Sequence, residues 1–98
     1  MTSPFKTARA KELYEAILSL KDSKECASFL TDLCTPKEIK DLSERWAIAR
    51  LLYETDLSYR DISAKTGAST TTVARVARFL RNEPHQGYKQ VLNKTKST

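Results

Sequence analysis

The sequence predicts an all-α fold of about six helices, with a helix-turn-helix in the C-terminal half. Three observations point there. Apolar residues recur at three- and four-residue spacing, and no stretch shows the sustained apolar–polar alternation of a half-buried strand. Side chains that cap helices stand ahead of the apolar runs. The 2 Gly and 3 Pro among 98 residues fall at the edges of those runs, where breaks are expected.

The first helix is predicted over about Thr7 to Leu20, where Leu13, Ile17 and Leu20 form a stripe widened by Tyr14 and Leu18. Asp22, followed three residues later by Glu25, reads as a capping box for a second helix carrying Cys26, Phe29, Leu30 and Leu33. Thr35-Pro36-Lys37-Glu38 is a stronger start signal. The Thr35 hydroxyl can accept exposed backbone N–H groups, and Pro36 suits a first position where no N–H is needed. The third, central helix then runs over 36–54, burying Ile39, Leu42, Trp46, Ile48, Ala49 and Leu52. Ser58 opens a short helix that Gly67 closes. Ser69 opens the next, with Val73, Val76, Ala77 and Leu80 inward. Glu83-Pro84 ends it, because a residue before proline avoids the α region. A short helix over 84–93 with Tyr88, Val91 and Leu92 precedes a frayed tail, 94–98.

A chain of this length reads as one domain, 1–98, with a thin core, so oligomerisation is expected. No apolar run approaches the roughly 18 residues that cross a bilayer, and the N-terminus lacks a signal-peptide stretch. The chain is therefore expected in the cytoplasm, away from membranes, with Cys26 and Cys34 reduced and serving as packing. His85 is the only histidine, which leaves little for a zinc site, and no metal or cofactor is expected. Asn93-Lys94-Thr95 matches a glycosylation sequon, read as chance without a secretory route. One histidine, no glycine-rich phosphate loop and no convincing cluster of acids argue against an enzyme.

The net charge of +5 is unevenly placed. Residues 1–34 are neutral overall and 35–57 carry −1, whereas 58–82 carry +4 and 83–98 carry +2. Arg60, Lys65, Arg75, Arg78 and Arg81 oppose Asp61 alone in the third of these segments. A neutral body with a basic end is the outline of a polyanion binder, although charge by itself equally fits a solvated face.

The spacing within 58–82 adds the missing detail. A sharp turn between short helices needs positive φ, which Gly67 supplies. Ser63, small, sits four residues before it at the helix crossing, and Val73, branched and apolar, six residues after. Ile62 lies on the buried side. With Val73, Val76, Ala77 and Leu80 inward, the outer face holds Thr70, Thr71, Ala74, Arg75, Arg78 and Arg81. A helix beginning Ser-Thr-Thr-Thr offers hydroxyls and unpaired N–H groups to phosphates or base edges. Arg75 can bridge guanine O6 and N7, hold a phosphate, bind a small ligand or make a surface ion pair. An ordinary helical hairpin also needs only short loops and a glycine. The coincidence of spacing, hydroxyls and charge in one segment favours DNA.

From Leu33 to about Pro84 the chain resembles the Trp repressor superfamily. The shared residues are Leu33-Cys-Thr35-Pro36-x-Glu38, Leu42, Arg45, Ile48 and Leu52, then Leu57-Ser58-x-Arg60-Asp61-Ile62, Gly67-Ala68 and Val73-Ala-Arg75. The ending Gly87-Tyr88-Lys-Gln-Val91-Leu92 is more similar to the YerC/YecD branch than to the tryptophan-responsive repressors. The resemblance implies an intertwined homodimer joined through helices over 7–34, presenting two heads to a palindromic operator with half-sites about 34 Å apart. It implies DNA contacts at Tyr59, Arg60, Ser69, Thr70, Thr71, Thr72 and Ala74, to which the outer face adds Arg75 and Arg78. Ser63 stands where the repressor has lysine, so one phosphate contact is missing. Thr35, Arg45 and Arg75 correspond to residues around the repressor's tryptophan. Val76 and Phe79 replace its glycine and serine, filling the space an indole needs at an overpacking cost of about 1–3 kcal/mol. No tryptophan response is therefore expected, and whether another small effector acts stays open. Arg45 is read as pairing with Asp41 or Glu44, and Trp46 as core.

The reading is thus a DNA-binding transcriptional regulator, a repressor, acting on double-stranded DNA. Two alternatives remain at this point: an accessory of transposition or replication initiation, and a protein-interaction adaptor with a helical surface.

Overall fold

The computed structural model describes residues 3–96. Among them lie six α-helices and no strand: α1 (Ala8–Leu18), α2 (Ser23–Leu33), α3 (Pro36–Glu54), α4 (Tyr59–Thr66), α5 (Thr70–Arg81) and α6 (Gly87–Lys96), with a 3-10 turn at Pro4–Lys6 ahead of α1. The predicted all-α fold with a helix-turn-helix is observed. The chain divides inside α3 into two compact units, Met1–Ile39 and Lys40–Thr98.

The N-terminal unit is set by caps. Thr7 Oγ1 accepts the N–H of Ala10 at 3.1 Å and starts α1. The 3-10 turn packs on α1, where the Tyr14 hydroxyl donates to the Phe5 carbonyl at 2.8 Å. α1 stops two residues before the expected Leu20. Ser19 N–H is shared between Glu15 and Ala16 carbonyls and Leu20 N–H turns back to Ile17, so the last turn tightens to three-residue bonds. Asp22 Oδ1 accepts from Glu25 N–H at 2.8 Å and opens α2. At α3 the capping box is complete: Thr35 Oγ1 accepts from Glu38 N–H at 3.1 Å, and Glu38 Oε1 accepts from Thr35 N–H at 2.8 Å. No described residue of this unit is buried, and the stripe predicted for α1 lies open, with Leu13 37% and Ile17 43% exposed.

The C-terminal unit holds the core. Ile48, Ala49 and Leu52 of α3 pack with Ile62, Ala68, Val73, Val76, Ala77, Leu80 and Leu92. Each fully buried aliphatic contributes on the order of 1.5–3 kcal/mol. Trp46 packs against this cluster, as expected. Leu42 does not join it and is 47% exposed: the core reaches back along α3 only to Trp46. Lys40 donates to Glu44 at 2.6 Å, and that bond raises the Lys40 pKa above its ordinary value.

α6 departs from its expected bounds at both ends. It begins at Gly87, after Gln86 takes a positive φ of 64°, and Gln90 N–H returns to the Gln86 carbonyl. It continues through Lys96, with Thr95 Oγ1 donating to the Val91 carbonyl at 3.1 Å in the final turns. Residues 94–96 of the predicted frayed tail are therefore helical, and 97–98 lie outside the described residues. Tyr53 and Asn93 join α3 to α6 through a side-chain hydrogen bond.

Candidate nucleic-acid interface

The site is built on α4, the turn at 67–69 and α5. Ser58 Oγ accepts from Asp61 N–H at 3.1 Å and starts α4, which buries Ile62 completely. Gly67 then sits at φ 81°, the left-handed conformation its position requires, and its N–H closes on the Ser63 carbonyl at 2.9 Å. Ser63 does more than stay small. Its hydroxyl donates to the Ala68 carbonyl at 2.5 Å, while Thr66 Oγ1 donates to the Ile62 carbonyl and accepts the Ala68 N–H. The turn is bound from both sides.

Ser69 caps α5, accepting Thr72 N–H at 3.1 Å, and the two hydroxyls lie 3.0 Å apart. The inner face is as predicted: Val73 and Val76 are fully buried, with Ala77 and Leu80 nearly so. Thr70, Thr71, Ala74, Arg75, Arg78 and Arg81 are exposed. Ser69, Tyr59 and Arg60 are exposed as well. Thr72 differs from these, being half-buried with its polar atoms turned to Ser69. At the first turn, Thr70 and Thr71 N–H groups have no intrahelical carbonyl to meet, and the helix dipole adds partial positive charge there.

Arg60, Lys65, Arg75, Arg78 and Arg81 are all exposed, and none makes an ion pair among the described residues. Ion pairs occur elsewhere, as between Lys40 and Glu44 at 2.6 Å and Arg50 and Glu54 at 3.7 Å. The basic charge of this face is thus not neutralised by its own described residues. An anion approaching it meets no resident carboxylate that must first be displaced.

The residues expected around a small ligand fare differently. Thr35 spends both its hydroxyl and its N–H in the α3 cap. Arg45 is half-buried, and the expected ion pair is absent among the described residues: Glu44 bonds to Lys40 instead. Glu44 and Arg45 are neighbours on a helix and point about 100° apart, whereas Lys40 lies one turn from Glu44 on the same face. Val76 belongs to the core. Phe79 is half-buried and engaged at the surface: the Arg75 guanidinium carbon lies 4.5 Å from its ring centroid and that of Arg78 5.1 Å, while His85 stacks on it at 6.0 Å with 17° between planes. In the sequence Phe79 reads only as filler of the space an indole needs. The available signal was its spacing, one turn after Arg75 and next to Arg78. No group of three His, Cys, Asp or Glu able to hold a metal occurs among the described residues. Nor is any described helix long and apolar enough to cross a membrane.

The Trp repressor protein family profile matches residues 8–96. The chain is 45% identical over 87 residues to YerC of Bacillus subtilis (strain 168), covering 89% of this chain and 82% of YerC. A TrpR-like protein from Eubacterium eligens superposes with a TM-score of 0.87 at 43% identity, covering 94% of this chain and 93% of that one. A solved chain from Staphylococcus aureus gives the same TM-score, 0.87, at 34% identity, covering 97% and 96%.

Proposed function

The chain belongs to the Trp repressor family, and from that membership we propose that it is a sequence-specific DNA-binding regulator of transcription, a repressor that works by occupying its site. The start of α5 enters the major groove. Thr70 and Thr71 bring hydroxyls and N–H groups to phosphates or base edges, and the small Ala74 permits close approach. Arg60, Arg75 and Arg78 supply phosphate or guanine contacts. No catalysis or cofactor takes part, and tryptophan is not required.

The observation that carries this reading is the set of five exposed cations on 58–82, along α4 and α5, without an ion-pair partner among the described residues. Two copies act together. Leu13, Ile17, Leu18 and Leu33 are 37–83% exposed in the single chain, an apolar surface that a second copy covers. The site is then a palindrome with half-sites about 34 Å apart.

Selecting binders from random duplex DNA at moderate salt tests the proposal. Recovery of an inverted repeat with that spacing is expected. Recovery of no preferred sequence, with no duplex binding at low salt, removes DNA and favours a protein-interaction role.

A further inference from the structure

The exposed cations of α5 are not alike in their surroundings. Arg75 and Arg78 both lie over the ring of Phe79, at 4.5 and 5.1 Å, whereas Arg81 on the same helix has no ring partner among the described residues. The ring is itself held from outside α5, because His85, in the segment before α6, stacks on it at 6.0 Å. We propose that Phe79 is a positioning residue for the DNA-reading face, ordering the Arg75 and Arg78 side chains before DNA arrives. The inference rests on the DNA-binding reading above and deepens it.

The physical case is one of order without neutralisation. A free arginine has many rotamers, and binding must immobilise it at an entropic cost. A carboxylate partner would order the side chain but cancel the charge that a phosphate needs. An aromatic face attracts the guanidinium through its quadrupole and leaves the charge intact. It also leaves in-plane N–H donors available for a phosphate or a guanine edge. The absence of any ion pair at Arg75 and Arg78 among the described residues fits a ring serving in that place.

The test uses the full chain and one duplex taken from the selection described above. Phe79→Leu keeps an apolar side chain without the quadrupole, and Phe79→Tyr keeps the ring. Phe79→Leu is expected to weaken binding about five- to tenfold, because Arg75 and Arg78 would then both have to be immobilised when DNA binds. Phe79→Tyr is expected to stay within about twofold of wild type. Arg75→Ala is expected to cost much less in the Phe79→Leu background than in the wild type, a coupling that simple loss of packing does not produce. Should Phe79→Leu fail to fold, side-chain ¹⁵N relaxation of the free wild type decides: Arg75 and Arg78 Nε are expected to be more ordered than Arg81 Nε. Equal mobility of the three, or a folded Phe79→Leu that binds like wild type, overturns this inference while leaving the DNA-binding reading intact. Absence of duplex binding by the wild type overturns both.

Discussion

The Ser63 hydroxyl donates to the carbonyl oxygen of Ala68 across the turn that Gly67 makes, at 2.5 Å. This bond joins the end of α4 to the residue before the α5 cap, so it fixes how the second helix leaves the first. Ala68 is 7% exposed, and without Ser63 its carbonyl loses a partner in a site with little water. Ser63→Ala is expected to destabilise the protein by about 1–2 kcal/mol, read as a lower denaturant midpoint at unchanged slope. An unchanged midpoint would mean the turn holds without it.

Gly67 offers a cleaner separation of causes. A Cβ at this position would meet nothing within 4 Å, so sterics with neighbours contribute nothing. The cost of Gly67→Ala is that of its positive φ alone, about 1 kcal/mol, and Gly67→Asn is expected to cost less because asparagine tolerates this conformation. Thermal unfolding of both variants checks the order.

These turn residues show why much of the fold was legible in the sequence. Capping at Asp22, Thr35, Ser58 and Ser69, and the left-handed glycine, are local rules in which a few adjacent residues decide the outcome. The division of α5 into buried Val73, Val76, Ala77 and Leu80 against an exposed outer face follows from helical period alone. Periodicity does not say what covers a stripe, which is why Leu42, expected inside, is open in the single chain, as is the α1 stripe of Leu13 and Ile17. The start of α6 escaped because positive φ at Gln86 has no strong composition signal. The Phe79 stack escaped because it depends on how residue 85 returns to α5, a relation no spacing encodes.

The α3 cap makes a third prediction. Thr35 and Glu38 satisfy each other's N–H groups, and Thr35→Ala removes one of the two bonds. A loss of about 1 kcal/mol is expected, visible in the unfolding midpoint. Thr35→Ser, which keeps the acceptor, is expected to recover most of it.

A fourth concerns assembly. Ile17 is 43% exposed in the single chain, on the apolar stripe of α1. Ile17→Glu places a charge where the second copy sits, and sedimentation equilibrium at micromolar concentration is expected to move from twice the chain mass towards a monomer. A wild type that sediments as a monomer under the same conditions would remove the palindromic site from the account.

The cationic face makes a fifth. Arg75→Ala is expected to weaken specific binding by about 1–3 kcal/mol if a base is read, and to flatten the salt dependence by about one counterion if a phosphate is held. Titrations at several salt concentrations distinguish the two.

The central claim is that the opening turn of α5 lies in the groove. Backbone amide shifts followed by NMR during titration with the selected duplex test it most directly. The largest changes are expected from Ser69 to Arg75, with smaller ones at Tyr59 and Arg60. Changes confined to α1 and α2, or none at saturating duplex, would contradict it.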